Sequence, residues 1–66
     1  MTEEEFKQLK PGDAISCVHS AATIEWIETD YDWSAKPPTK HTWAVHLNNG
    51  TNARITDDLT TITKIN

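Results

Sequence analysis

After Pro11-Gly12 the apolar residues of this chain recur at every second position in several short blocks, interrupted by a long connection over 29–41. Side chains of a β-strand point alternately to opposite faces, so this period predicts strands with one buried face. Across residues 13–19, Ile15 and Cys17 alternate with Ala14, Ser16 and Val18. Across 23–29, Ile24 and Trp26 share a face and Glu25 takes the other, until the adjacent pair Trp26-Ile27 interrupts the pattern and predicts a bulge. The cleanest strand is 42–47, where Trp43, Val45 and Leu47 alternate with Thr42, Ala44 and His46. Asn48-Asn49-Gly50 then predicts a tight hairpin, because Asn and Gly tolerate positive φ. The return strand, 51–56, turns Ala53 and Ile55 inward and Asn52 and Arg54 outward. Asp57-Asp58-Leu59 reads as one helical turn capped by Asp57, and 60–65 as the last strand, rich in Thr and Ile.

The segment before Pro11 follows a different rule. Thr2 can cap free amides, Glu5 stands at the reciprocal capping-box position, and Glu3, Glu4 and Glu5 suit the positive end of a helix dipole. Phe6 and Leu9, three apart, share one helical face. Lys7 and Lys10 suit the other end, and Pro11-Gly12 stops the helix. A helix over 2–10 is too short to stand alone. It must lie on the sheet, with Phe6 and Leu9 plugging one open end.

With 66 residues, the chain is read as a single domain, 1–66, with the short helix over 2–10 and the strands over 13–65. A domain of this size buries only about 60% of the surface its unfolded chain exposes, so its stability is marginal. Cys17 is the only cysteine, which leaves no internal disulfide to compensate. Stability must come from close packing, from self-association as a homodimer, or from both. Trp26, Trp33 and Trp43, with Tyr31 and Phe6, supply large buried area per residue. Five short strands, with a tight hairpin between the third and fourth and a helical turn between the last two, resemble the SH3-like barrel. The resemblance spans 13–65. It implies an all-β fold, a small five-stranded SH3-like barrel with a short N-terminal helix. An open five-stranded sheet packed by that helix is the alternative.

Ten acidic residues against six basic give a net charge of −4, which argues against the basic stripe of a nucleic-acid binder. No apolar run approaches a membrane span. The acidic N-terminal segment has neither the basic nor the apolar region of a signal peptide, and a lone thiol fits a reducing compartment, so the expected location is the cytoplasm. No CxxC, HxxxH or carboxylate–histidine cluster is present. Cys17 and His19 could form at most a two-ligand clip, and on a regular strand His41 and His46 would point to opposite faces. Neither a metal nor another cofactor is expected, and Cys17 reads as a small core residue. Nothing like GxSxG occurs, and the chain is read as non-enzymatic.

The long connection over 29–41 is the most informative segment, since loops of that length in small domains are usually functional or disordered. Tyr31 and Trp33 stand two apart and would project to one side, flanked by Glu28, Asp30 and Asp32. Exposed rings beside carboxylates match the composition of protein-binding surfaces. In SH3-like barrels such a loop helps to wall the ligand groove. The competing reading folds Trp33 back over the core. The leading expectation is a binding module in which the rings supply affinity and the acids steer toward a basic protein surface. In character this is similar to phage-encoded inhibitors of host nucleic-acid-handling proteins. The alternatives are a binder of a nucleotide or other metabolite, with a pocket lined by Trp residues and His46, and a structural subunit that self-assembles through an exposed strand edge.

Overall fold

The computed structural model describes residues 1–17 and 20–65. Its elements are a helix α1 (Glu3–Lys7), strands β1 (Ala14–Ser16), β2 (Ala21–Asp32), β3 (Thr39–Leu47) and β4 (Asn52–Arg54), a 3₁₀ turn (Leu59–Thr61) and β5 (Thr63–Lys64). The strands form one antiparallel, curled five-stranded sheet in the order β4-β3-β2-β1-β5. The fold is all-β with one short helix. Among the described residues β4 and β5 are edges and do not pair with each other.

The expected capping box is present. The Glu5 amide donates to Thr2 Oγ1 at 3.2 Å, and the Thr2 amide donates to Glu5 Oε1 at 3.0 Å. The Thr2 amide, then the Thr2 side chain, hold the Glu5 carboxyl below its ordinary range by hydrogen bonding. The helix is shorter than the 2–10 expected, ending at Lys7 with Gln8 as its cap. Leu9 still reaches the core because its amide bonds to the Phe6 carbonyl in one further turn. Phe6 and Leu9 are both buried, and Thr42 Oγ1 on β3 donates to the Lys7 carbonyl at 3.2 Å, which seats α1 on the sheet.

Curvature comes from β2. Its first residues, Ala21 to Thr23, pair with β1, whereas Ile24 onward pairs with β3. Gly12 (φ +97°) bends the entering chain alongside, where its amide bonds to the Ile24 carbonyl at 3.0 Å and Ile24 returns a bond to Asp13 at 2.8 Å. One strand thus serves both halves of the sheet, and Phe6, Leu9, Ile15, Ile24, Val45, Leu47, Ala53 and Ile62 pack in the concavity.

Several boundaries differ from expectation. The first strand ends at Ser16, and its expected continuation through Val18 and His19 lies outside the described residues. The bulge falls at Glu25, between the pairs Ile24↔Leu47 and Trp26↔His46, and not at Trp26-Ile27. Trp26 therefore leaves the face of Ile24: Ile24 is 2% exposed and Trp26 50%. At the tight hairpin only Gly50 has positive φ (+87°), and Asn49 acts through its side chain, accepting from the Thr51 amide at 3.1 Å and hydroxyl at 2.6 Å. Asp58, not Asp57, caps the 3₁₀ turn, accepting from the Thr60 amide and hydroxyl, while Asp57 accepts from the Arg54 amide. The last strand contracts to Thr63–Lys64, because Thr60 and Thr61 belong to that turn.

The largest correction concerns the expected loop over 29–41. β2 runs through Asp32 and β3 begins at Thr39, so the actual connection is only 33–38, with a cis Lys36–Pro37 peptide. The segment is a two-stranded arm that continues the central hairpin, and the molecule measures 37 × 21 × 18 Å.

Two variants test this packing by urea denaturation. Phe6→Ala removes a fully buried ring and should cost about 3–5 kcal/mol, enough to unfold most of a domain this small. Gly50→Ala meets open space and should cost about 1 kcal/mol through its backbone conformation alone.

Candidate functional site

The arm is built from Thr29↔Thr42, Asp30↔His41, Tyr31↔Lys40 and Asp32↔Thr39, beyond a second bulge at Trp43 that separates these pairs from Glu28↔Ala44. Strand alternation turns Tyr31 to one side and Asp30 and Asp32 to the other. Trp33, the first residue of the turn, meets Tyr31 with ring centroids 5.3 Å apart and planes tilted by 33°. Trp33 is 74% exposed and Tyr31 42%, so Trp33 does not fold back over the core. The two rings form a joint apolar patch at the end of the arm. They cover each other and little else.

The turn beneath them is held by Asp32. Its Oδ1 accepts from the Ser34 hydroxyl at 2.5 Å and from the Ser34 amide at 3.1 Å. Ala35 N–H closes onto the Asp32 carbonyl at 3.3 Å, and Asp30 accepts from the Tyr31 amide at 2.8 Å. The Ser34 hydroxyl, then its amide, hold the Asp32 carboxyl below its ordinary range, with a smaller contribution from His41.

Both bulges reshape the opposite face. On β2 the row Trp26, Glu28, Asp30 alternates regularly, and its register partners on β3 are His46, Ala44 and His41. The extra residue at Trp43 thus brings His41 and His46 to one face, where regular spacing predicted opposite faces. Trp26 and His46 stack with centroids 3.8 Å apart and planes 2° from parallel, and His46 Nε2 lies 3.3 Å from Glu28 Oε1. The five residues singled out in the sequence therefore divide. Tyr31 and Trp33 form the ring patch, while Glu28, Asp30 and Asp32 line the other face of the same arm. The rings and acids are neighbours across a strand, not one mixed surface.

Sequence reasoning missed a groove where α1 and its exit meet the base of the arm. It has a volume of about 440 Å³ and is lined by Lys7, Leu9, Pro11, Trp26, Ile27, Thr29, Lys40, His41 and Thr42. Trp26 belongs to it, but His46, expected in such a pocket, does not. Its basic residues, Lys7 and the adjacent Lys40 and His41, come from two separate parts of the chain, so no sequence motif could have marked them.

Among the described residues no group of three or more His, Cys, Asp or Glu is placed to hold a metal ion, and the Cys17–His19 clip lies outside them. Cys17 is half-buried against the core, and burial, followed by the charge of Asp57, pushes its thiol pKa up, away from the reactive thiolate. No helix among the described residues is long and apolar enough to cross a membrane. Comparison with protein-family models, curated proteins and solved structures finds no match to this chain.

The Asp32 turn has a signed pH dependence. A carboxyl whose folded pKa is depressed stabilises the turn above its ordinary range, and that contribution is lost as pH falls through the folded value. In an NMR carboxyl titration, Ser34→Ala should move Asp32 upward toward the ordinary aspartate value. An unmoved titration would mean that Ser34 does not hold the turn.

Proposed function

We propose that this chain is a non-enzymatic binding module, an SH3-like barrel acting in the cytoplasm, which engages a protein partner through the Tyr31–Trp33 patch. The observation that carries the reading is the exposure of two large rings in contact at the end of a projecting arm. Exposed apolar area of this kind, on a chain with few apolar residues to spare, favours a surface kept for an interaction. Tyr and Trp are preferred anchors of protein interfaces because they bury much area while ordering few torsions. The strand order and the 3₁₀ turn between β4 and β5 favour the SH3-like assignment, with the arm in the place of a groove-walling loop.

Glu28, Asp30 and Asp32 on the reverse face add a local negative field. Such a field accelerates encounter with a basic surface more than it tightens the final complex. A nucleic-acid-handling protein offers a basic surface of that kind, and an inhibitor of one fits the acidic arm. The rings would then supply residence time and the acids association rate.

The test combines folding and capture. The double variant Tyr31→Ala/Trp33→Ala should unfold within about 0.5 kcal/mol of the parent, since both rings are exposed. It should lose every partner that the parent retains in affinity capture. The variant Glu28→Gln/Asp30→Asn/Asp32→Asn should keep those partners but associate more slowly, with a weaker salt dependence. A double ring variant that binds as the parent does would refute the reading. One that fails to fold would show the rings to be structural.

A further inference from the structure

The groove between α1 and the base of the arm runs against the net charge of the chain. The chain carries ten acidic residues and six basic ones, yet the groove lining contains Lys7, Lys40 and His41 and no carboxylate residue. Neither lysine is in an ion pair among the described residues; the cationic partner of Asp13 is Lys64, on β5. Leu9, Pro11 and Ile27 add apolar wall, and Thr29 and Thr42 add hydroxyls. The Thr42 hydroxyl donates to the Lys7 carbonyl, which leaves its oxygen able to accept.

We propose that this groove binds a small organic anion, with a phosphate or carboxylate held between Lys7 and Lys40 and an apolar body against Leu9, Pro11 and Ile27. Lys7 from α1 and Lys40 from β3 both line the groove, and ammonium groups supply charge-assisted hydrogen bonds, which are about twice as strong as neutral ones. The volume of about 440 Å³ lies within the range that holds small ligands. The acids nearest in register are Asp30, opposite His41, and Asp32, whose carboxylate interacts with His41; neither lines the groove, although His41 and Trp26, which share the face of Asp30, do. An anion is thus drawn to a local positive site on an acidic molecule, and that site selects for charge and for an apolar body together. Neither Tyr31 nor Trp33 lines the groove, although Lys40 is the register partner of Tyr31.

The experiment titrates the full chain with phenyl phosphate, benzoate, phenol and inorganic phosphate, and follows amide shifts by NMR. Phenyl phosphate or benzoate should shift Lys7, Ile27, Thr29, Lys40 and Thr42 saturably. Phenol and inorganic phosphate should each bind about tenfold more weakly, because each lacks one of the two features. Lys7→Gln and Lys40→Gln replace exposed residues, so the fold should survive, and each should weaken phenyl phosphate by about tenfold. Trp33→Ala should leave this affinity unchanged, which separates the groove from the ring patch. Phenol binding as tightly as phenyl phosphate, shifts confined to other residues, an unchanged affinity in both lysine variants, or no saturable shift with either anion would each overturn the proposal.

Discussion

The bulge at Glu25 is the constraint on which the rest of this structure depends. Up to Ile24, β2 follows the alternation of the core, and the next inward residue is Ile27 rather than Trp26. An extra residue in one strand of a pair bends that strand and increases its twist. Here the bend coincides with the point where β2 leaves β1 and joins β3. One irregularity therefore curls the sheet over Phe6 and Ile15, turns Trp26 out onto His46, and aims the remainder of the hairpin away from the body. With a regular β2, Trp26 would fall opposite Val45, and Glu28, Asp30 and Asp32 would move to the face now occupied by Thr29 and Tyr31.

The arm and the body are held by different physics. The body rests on apolar burial: Phe6, Ile15 and Val45 are wholly inaccessible, and Ile24 nearly so. The arm has no such core. It persists through backbone pairing to Asp32↔Thr39, the contact between two rings, and the Asp32–Ser34 turn. Segments with few buried contacts open at lower free energy than the core. A surface carried on such an arm can adapt to a partner while the body keeps its register.

Much of the body was legible in the sequence. The Thr2–Glu5 capping box, the Phe6 and Leu9 anchors and the Asn48-Asn49-Gly50 turn each follow a local rule that the fold keeps, whereas the alternation to Leu47 holds only from Val45 on, since Thr42 and Ala44 are buried and Trp43 is not in the core. The arm was not legible as strand, because alternation is visible only where one face is buried. Residues 29–32 and 39–41 are mostly exposed on both faces, so they present no apolar period and read as loop. The bulges were half legible: Trp26-Ile27 signalled a break, but adjacency of two apolar residues cannot say which neighbour is the extra one. The bulge at Trp43 lies inside the cleanest alternation of the chain and had no signal. The pairing of Tyr31 with Trp33 was readable from their spacing; the groove was not, since Lys7, Pro11, Trp26 and Lys40 meet only after the chain has folded.

The central claim, that one inserted residue at Glu25 sets the register of the arm, is open to direct measurement by cross-strand nuclear Overhauser effects on the labelled protein. The account requires backbone contacts for Trp26 opposite His46, Ile27 opposite Val45 and Asp30 opposite His41. Contacts of Trp26 with Val45, in an uninterrupted ladder continuing from Ile24 and Leu47, would contradict it.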